Sequence, residues 1–370
     1  MAVISDMISV PRRVEDVTLS WLQQRLLEKG AVGDLTGFSV SPIGAGLMGA
    51  TYRLVLCYAY GAHIGPSSLI FKVTGEGAIS RKLGKRGYGF DGKPGFYGSE
   101  VRFYRELACN LPIRTPQVLF AWLSDDEDEF VLLMEDVAPA RAGDELQGCT
   151  LAEAESAMAS IAGLHAPMWN SPAFSEPGFL RRPTAEWAAV FRDSIARAGA
   201  RWHEHAAVAV EENNDIVEAF VAQSGAWFEA VGQNISLTHN DFRLDNLMFM
   251  PTAECVTLDW QSFLVAHAGR DTGLFLGCSV PTEMRREHQD HLLHIYHDRM
   301  IALGVEGYTF DQCYDDFRLG VFLGVQNIVI GMSAVSLTER GVRMFRTKFD
   351  RCCATIRDCA SLDILARLGR

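Results

Sequence analysis

Residues 238–249, THNDFRLDNLMF, hold the densest chemistry in the chain. They place His239, Asp241 and Asn246 on one short loop, and Asp259 follows 18 residues after Asp241 at the end of an apolar run. Phosphoryl transfer needs such a set. One carboxylate orients an attacking hydroxyl and accepts its proton, and an amide oxygen and a second carboxylate hold a hard cation. Asp241 is the candidate base, His239 the brace of the loop, and Asn246 and Asp259 the candidate Mg²⁺ ligands. Arg243 can meet a phosphate or an anionic substrate, or pair with a carboxylate. Asp245 can be a further metal ligand or can bond the loop backbone, the preferred reading. A polar turn between two helices is the competing reading of the whole stretch.

If this is a phosphoryl-transfer loop, other groups should precede it in a set order. Gly44, Gly46 and Gly49 form G-x-G-x-x-G between two candidate strands, Phe38 to Ile43 and Thr51 to Tyr58. Glycines let backbone N–H groups approach phosphates closely. A dinucleotide-binding turn would need a helix after the motif, whereas 51–56 reads as a strand. Lys72, in LIFKV, lies on a third strand and suits the α/β-phosphates, although a surface lysine at a strand end looks the same. Glu100 is the expected partner of that lysine, with Glu106 as competitor. The run FVLLMEDV, 130–137, should end in a segment that binds a purine. Met134 would lie against the base, and the Glu135 to Val137 backbone would form the hydrogen bonds. A buried core strand explains the same apolar run.

The elements that position these groups change character along the chain. Asp16 to Lys29 has the pattern of an amphipathic helix. Residues 74–98 mix eight glycines with Arg81, Lys82, Lys85, Arg86 and Lys93, a basic loop suited to an anionic group. Ser99 to Leu107 reads as a helix. Gln117 to Leu123 and Phe130 to Glu135 read as strands joined by the acidic turn 124–129. Thr150 and Glu153 form a capping box for a helix running to about His165. Residues 184–232 and 281–368 have helical periodicity, with strands only at 247–250 and 255–258. Asp271 should cap the helix after it and brace the loop. The expected fold class is α+β: a β-rich, nucleotide-binding lobe over 1–137 and a larger, mainly helical lobe over 138–370 that carries catalysis and acceptor binding.

Composition limits the remaining classes. The chain has 370 residues, 48% hydrophobic and 22% charged, with a net charge of −12. That balance disfavours nucleic acid as a general partner. The nine cysteines are scattered without paired C-x-x-C motifs, which reads as buried free thiols in a reducing compartment and argues against a zinc site. His291, His294 and His297 are spaced by three, but no H-E-x-x-H accompanies them, so a metal role is disfavoured. No signal peptide is apparent. The apolar stretch from Leu319 to Leu337 reads as a buried helix rather than a membrane span. A cytoplasmic protein is expected, and its oligomeric state is left open.

The ordered set GAGLMG, LIFKV, SEVRFYREL, LLMEDV, HNDFRLDN and LDWQ, over about residues 40–275, resembles the aminoglycoside phosphotransferase-like superfamily. Its wording is similar to the ecdysteroid-kinase-like and CHK-type branch. The resemblance implies a two-lobed protein-kinase-like fold and ATP- and Mg²⁺-dependent phosphorylation of a small-molecule hydroxyl. It assigns the family roles to Lys72, Glu100, Asp241, Asn246 and Asp259. Asn240 stands where the superfamily usually has Gly, a change that Asn tolerates because it adopts left-handed backbone angles. Trp260 and Gln261 replace the Phe-Gly of protein kinases, which argues against a protein substrate. Aromatic residues of the helical region, among them Trp187, Phe191, Trp227 and Phe228, suit an apolar acceptor such as a steroid-like or hydroxyacyl compound, and core packing explains them too. Glu204, Glu211, Glu212 and Asp215 can serve an aminoglycoside or can form a solvated helix face. A nucleotide-binding pseudokinase with a regulatory role and an antibiotic-resistance phosphotransferase are the alternatives.

Overall fold

A computed structural model describes residues 9–45, 49–60, 64–75, 84–85, 94–176, 178–205, 208, 211–229, 234–334 and 338–368. Gly46 and most of the basic loop, including Arg81, Lys82, Arg86 and Lys93, lie outside the described residues. The chain separates into two compact units. One comprises Met1–Asn110, Thr115–Ala138 and Asp259–Ser262, and the other Leu111–Arg114, Pro139–Leu258 and Phe263–Arg370.

The first unit is built on a five-stranded antiparallel sheet of β1 (Leu35–Ala45), β2 (Gly49–Tyr58), β3 (Ser68–Thr74), β4 (Val118–Leu123) and β5 (Phe130–Glu135), in the order β1-β2-β3-β5-β4. Period-two alternation sorts β3 by face. Leu69, Phe71 and Val73 are buried in an apolar cluster with Trp21, Leu22 and Leu26. Lys72 therefore points to the opposite face. Trp21 meets Phe71 edge-on, with centroids 6.2 Å apart. Its helix, Leu19–Glu28, starts three residues later than the pattern suggests. The reason is Thr18, whose hydroxyl caps the Trp21 N–H at 3.2 Å, while Val14–Asp16 forms a separate 3₁₀ turn. The helix expected from Ser99 begins at Phe96 and continues as a π-helical turn over Phe103–Leu107.

In the second unit the capping box forms as expected: Thr150 and Glu153 close the start of the helix Leu151–His165. Two small antiparallel ladders frame residues 239–246. In one, β6 (Arg141–Ala142) and β9 (Cys255–Thr257) flank β8 (Leu247–Phe249); in the other, β7 (Ile235–Thr238) pairs with β10 (Leu264–His267). The pattern foretold β8 and β9 but not β6, β7 or β10. Helices Ala185–Ala200, Asn214–Glu229, Thr282–Ala302 and Glu339–Asp358 supply most of the remaining helical residues.

The apolar run from Leu319 is not one helix. It divides between Phe310–Gly320 and Phe322–Ala334, and 335–337 lie outside the described residues. Gly320 lies directly on Gly269: a Cβ at Gly320 would come 1.7 Å from the Gly269 carbonyl oxygen. This contact lets the short helix Gly269–Leu274, which carries Asp271, cross closely under its neighbour. Among the described residues no helix is long and apolar enough to cross a membrane. The thiols are all free, but Cys57 and Cys109 are exposed, so burial does not hold for every cysteine.

Candidate active site

Within the first unit, Lys72 is the centre of a charge cluster. Its Nζ donates to both Glu100 oxygens, at 2.7 and 2.8 Å, and to Asp259 Oδ1 at 3.1 Å. Burial works against the ammonium, but the neighbouring Asp259 and Glu100 carboxylates outweigh it and raise the Lys72 pKa. Glu100, not Glu106, is the partner: Glu100 is buried and Glu106 is exposed. Asp259 has a left-handed backbone, φ +62°, and its second oxygen accepts from Gln261 Nε2 at 3.2 Å. Trp260 is fully buried and stacks on Phe103 with centroids 3.7 Å apart and planes within 5°. That stacking anchors the short segment after Asp259.

The glycine motif falls between two paired strands, since Ala45 opposes Ala50. A strand, not a helix, follows it, which removes the dinucleotide-binding alternative. Gly44 closes β1 with Ala45, and Gly49 opens β2, where a Cβ would stand 2.9 Å from the Val73 carbonyl oxygen. At the end of β5, Met134 and Val137 are buried. The Glu135 N–H donates to the Gln117 carbonyl at 2.8 Å, so it is committed inside the unit. Asp136 accepts from Arg53 Nε at 2.6 Å and from Ser68 Oγ at 2.7 Å. Composition gave no hint of this clamp, since Arg53 lies 83 positions away.

Within the second unit, Asp241 is held from two sides. Asn246 Nδ2 donates to its Oδ2 at 2.8 Å and to its carbonyl at 2.9 Å. Arg243 Nε donates to both carboxylate oxygens, at 3.1 and 3.2 Å, and Arg243 Nη1 reaches Asp245 Oδ2 at 2.8 Å. Arg243 thus pairs with carboxylates. Asp245 bonds a different segment from the one expected, because its Oδ1 accepts the Glu145 N–H at 3.1 Å. His239 accepts the Asp241 N–H through Nδ1 at 3.3 Å, so we assign the proton to Nε2, which donates to the Leu258 carbonyl at 2.8 Å.

Asp271 is not a helix cap. It lies inside Gly269–Leu274, and its carboxylate accepts the His239 and Asn240 N–H groups, each at 2.7 Å. His165 Nε2 adds a contact at 3.0 Å, and its Nδ1 meets Tyr296 Oη at 2.8 Å. His165 is therefore a buried structural histidine. The loop hangs from a carboxylate with no solvent exposure.

The donor chemistry fits a hard divalent cation. With its amide nitrogen spent on Asp241, Asn246 presents an oxygen, and Asp259 offers carboxylate oxygens. Among the described residues no cluster of three His, Cys, Asp or Glu could hold a metal, the α-helical histidines 288, 291, 294 and 297 included. His291 bonds Glu155 at 2.7 Å, and His294 stacks on Phe310 at 3.7 Å. Trp187, Trp227 and Phe228 are buried and Phe191 is half-buried: Phe191 stacks on Phe228 at 4.3 Å, and Trp187 meets Phe228 edge-on at 5.3 Å. Core packing accounts for these rings.

No curated protein matches the chain. Among solved structures it is similar to choline kinase from Cryptosporidium parvum Iowa II, with 10% identity, 95% of this chain and 99% of that one covered, and a TM-score of 0.59. It is also similar to the macrolide 2′-phosphotransferase MphH from Brachybacterium faecium, with 16% identity, coverage of 89% and 97%, and a TM-score of 0.50. Ethanolamine kinase from Plasmodium vivax aligns at 10% identity over 85% and 81%, with a TM-score of 0.50. At these identities the likeness establishes a shared fold, the protein-kinase-like one expected from the motif order. The ecdysteroid kinase-like family profile matches residues 115–304, more than half of the chain, and the chain belongs to that family.

Proposed function

We propose that the protein is an ATP- and Mg²⁺-dependent kinase that phosphorylates a hydroxyl group of a small molecule. The observation that carries this reading is Asp241, which Asn246 and Arg243 orient on a loop suspended from buried Asp271. In this reading residues 1–137 bind nucleotide and 138–370 carry catalysis and the acceptor. Lys72, fixed by Glu100, neutralises the α/β-phosphates. Gly44, Gly46 and Gly49 let backbone N–H groups approach phosphate oxygens. Met134 borders the base, and the backbone from Glu135 to Val137 is the segment that meets its polar edge.

Asp241 orients the acceptor hydroxyl and takes its proton as the oxygen bonds the γ-phosphorus and ADP departs. Arg243 offsets the charge on the transferred phosphoryl group, and His239 keeps the loop in register. Asn246 and Asp259 would hold Mg²⁺, which would supply positive charge to offset that of the phosphates.

An apolar alcohol, steroid-like or hydroxyacyl, is the favoured acceptor over an aminoglycoside. Of the acids that could serve a polycation, Glu204 is paired with Arg201 at 3.0 Å and Asp215 with Arg357 at 2.8 Å. The experiment is a thermal-shift titration with ATP, GTP and ADP, with and without Mg²⁺, followed by an acceptor screen. A Mg²⁺-dependent stabilisation of about 2.7 kcal/mol at a hundred times Kd is expected. Asp241→Ala should abolish transfer yet bind nucleotide, and Asp259→Ala should weaken the Mg²⁺-dependent shift. No shift with any nucleotide would overturn the reading in favour of a degenerate binding protein.

A further inference from the structure

Glu145 has no solvent exposure and no role in the assignments above. It follows the short strand β6, beside Gly143, where a Cβ would stand 2.2 Å from the Leu244 carbonyl oxygen. The segment is thus pressed against residues 243–246. Oε1 of Glu145 accepts the Leu244 N–H at 3.1 Å and the Ser279 hydroxyl at 2.9 Å. Its own N–H donates to Asp245 Oδ1 at 3.1 Å, and its carbonyl accepts from Arg351 Nη1 at 2.7 Å. One residue therefore grips Leu244 and Asp245, the two positions between Arg243 and Asn246.

The second carboxylate oxygen, Oε2, is buried without a hydrogen-bond partner. Burying an acid with an idle oxygen is costly, and a neutral side chain would fill the same space more cheaply. Arg243 supplies a reason for an acid here. Burial works against its guanidinium, but the charges of Asp241, Glu145 and Asp245 outweigh it and raise its pKa. Glu145 is the one member of that trio that does not hydrogen-bond Arg243 through its side chain in the contacts above, and so acts on it at longer range.

We propose that Glu145 is a positioning residue of the transfer loop: Oε1 fixes the Leu244 peptide, and the buried carboxylate keeps the Arg243 guanidinium seated on Asp241. This rests on the kinase reading for its catalytic meaning, but the positioning itself can be measured without turnover.

The test compares Glu145→Gln and Glu145→Ala with wild type. Gln keeps an oxygen for Leu244 and Ser279 while removing the charge; Ala removes both. Hydrogen exchange of the Leu244 amide in ligand-free protein should stay near wild type in Glu145→Gln and accelerate in Glu145→Ala. Exchange of the Arg243 Nε proton, followed by NMR, should accelerate in both. Where an acceptor is in hand, Glu145→Gln should lower kcat about tenfold with the nucleotide KM within about twofold and a Tm no lower than wild type. Wild-type Arg243 exchange in Glu145→Gln would overturn the proposal, and should Glu145→Ala fail to fold, that variant still decides it. Altered exchange in a protein that binds no nucleotide would instead sink the kinase reading and leave the positioning intact.

Discussion

Asn240 and Arg270 are joined across the base of the transfer loop: Arg270 Nη1 stands 3.4 Å from Asn240 Oδ1. The guanidinium lies over Trp227, 4.3 Å from the ring centroid, and near Phe228 at 5.3 Å. Asn240 has φ +63°, the left-handed conformation that Asn, almost alone among non-glycine residues, adopts readily. Its side chain thus does something that glycine cannot, by tying the loop to a cation seated on an aromatic core. Asn240→Gly should keep the backbone and lose only the tie, whereas Asn240→Ala should add a strain of about 1–2 kcal/mol. Urea unfolding midpoints test this, and an Ala variant as stable as the Gly variant would contradict it.

The two carboxylates on Lys72 are not equivalent. Glu100 supplies both oxygens at 2.7 and 2.8 Å, and Asp259 one at 3.1 Å. In Glu100→Gln the ammonium keeps Asp259 as its counter-charge, so the fold should lose no more than about 2 kcal/mol, less than for a buried pair broken outright. Lys72 would then be drawn toward Asp259, and nucleotide affinity should fall about tenfold. Isothermal titration with ATP and Mg²⁺ measures that fall, and unchanged affinity would remove Glu100 from the site.

Asp136 confers an acid sensitivity with a defined sign. Burial works against its charge, but hydrogen bonds from Arg53 and Ser68 outweigh it and lower its pKa below the ordinary value. A depressed carboxylate contributes stability above the ordinary aspartate pKa of about 3.9 and loses it as pH falls through the folded value. Asp136→Asn should therefore be less stable than wild type at pH 7, and the gap should narrow toward pH 3. Equal gaps at both pH values would show that the charge is not the source.

Thiol reactivity should follow burial. Cys57 and Cys109 are exposed, whereas burial pushes Cys255 and Cys313 up to about 12. A disulfide reagent added to native protein at pH 8 should modify Cys57 and Cys109 rapidly. Cys255, Cys278, Cys313, Cys352, Cys353 and Cys359 should react only on unfolding. Peptide mapping after a short exposure reads the difference.

Local chemistry in the sequence was enough to identify the family and the fold class. G-x-G-x-x-G between strands, a lysine on the third strand and HNDFRLDN before LDW fall in an order that few other architectures share, and alternation in β3 already turns Lys72 away from the Leu69, Phe71 and Val73 core. The capping box at Thr150 and the left-handed Asn240 were legible for the same reason, since both depend on the residue and its immediate neighbours.

What tertiary structure decided are contacts between residues far apart in the chain. Glu100 against Glu106 turned on which side of one helix faces β3. The helix break at Val321 came from the close crossing of Gly320 on Gly269. Asp271 braces the loop as expected, but from inside a helix and not as its cap, and Glu145 came to grip Leu244 from 99 positions away. Periodicity reports which face of an element is apolar, but not which buried acid meets which backbone amide. That choice is made by packing, where a misplaced carboxylate would lie buried without a donor.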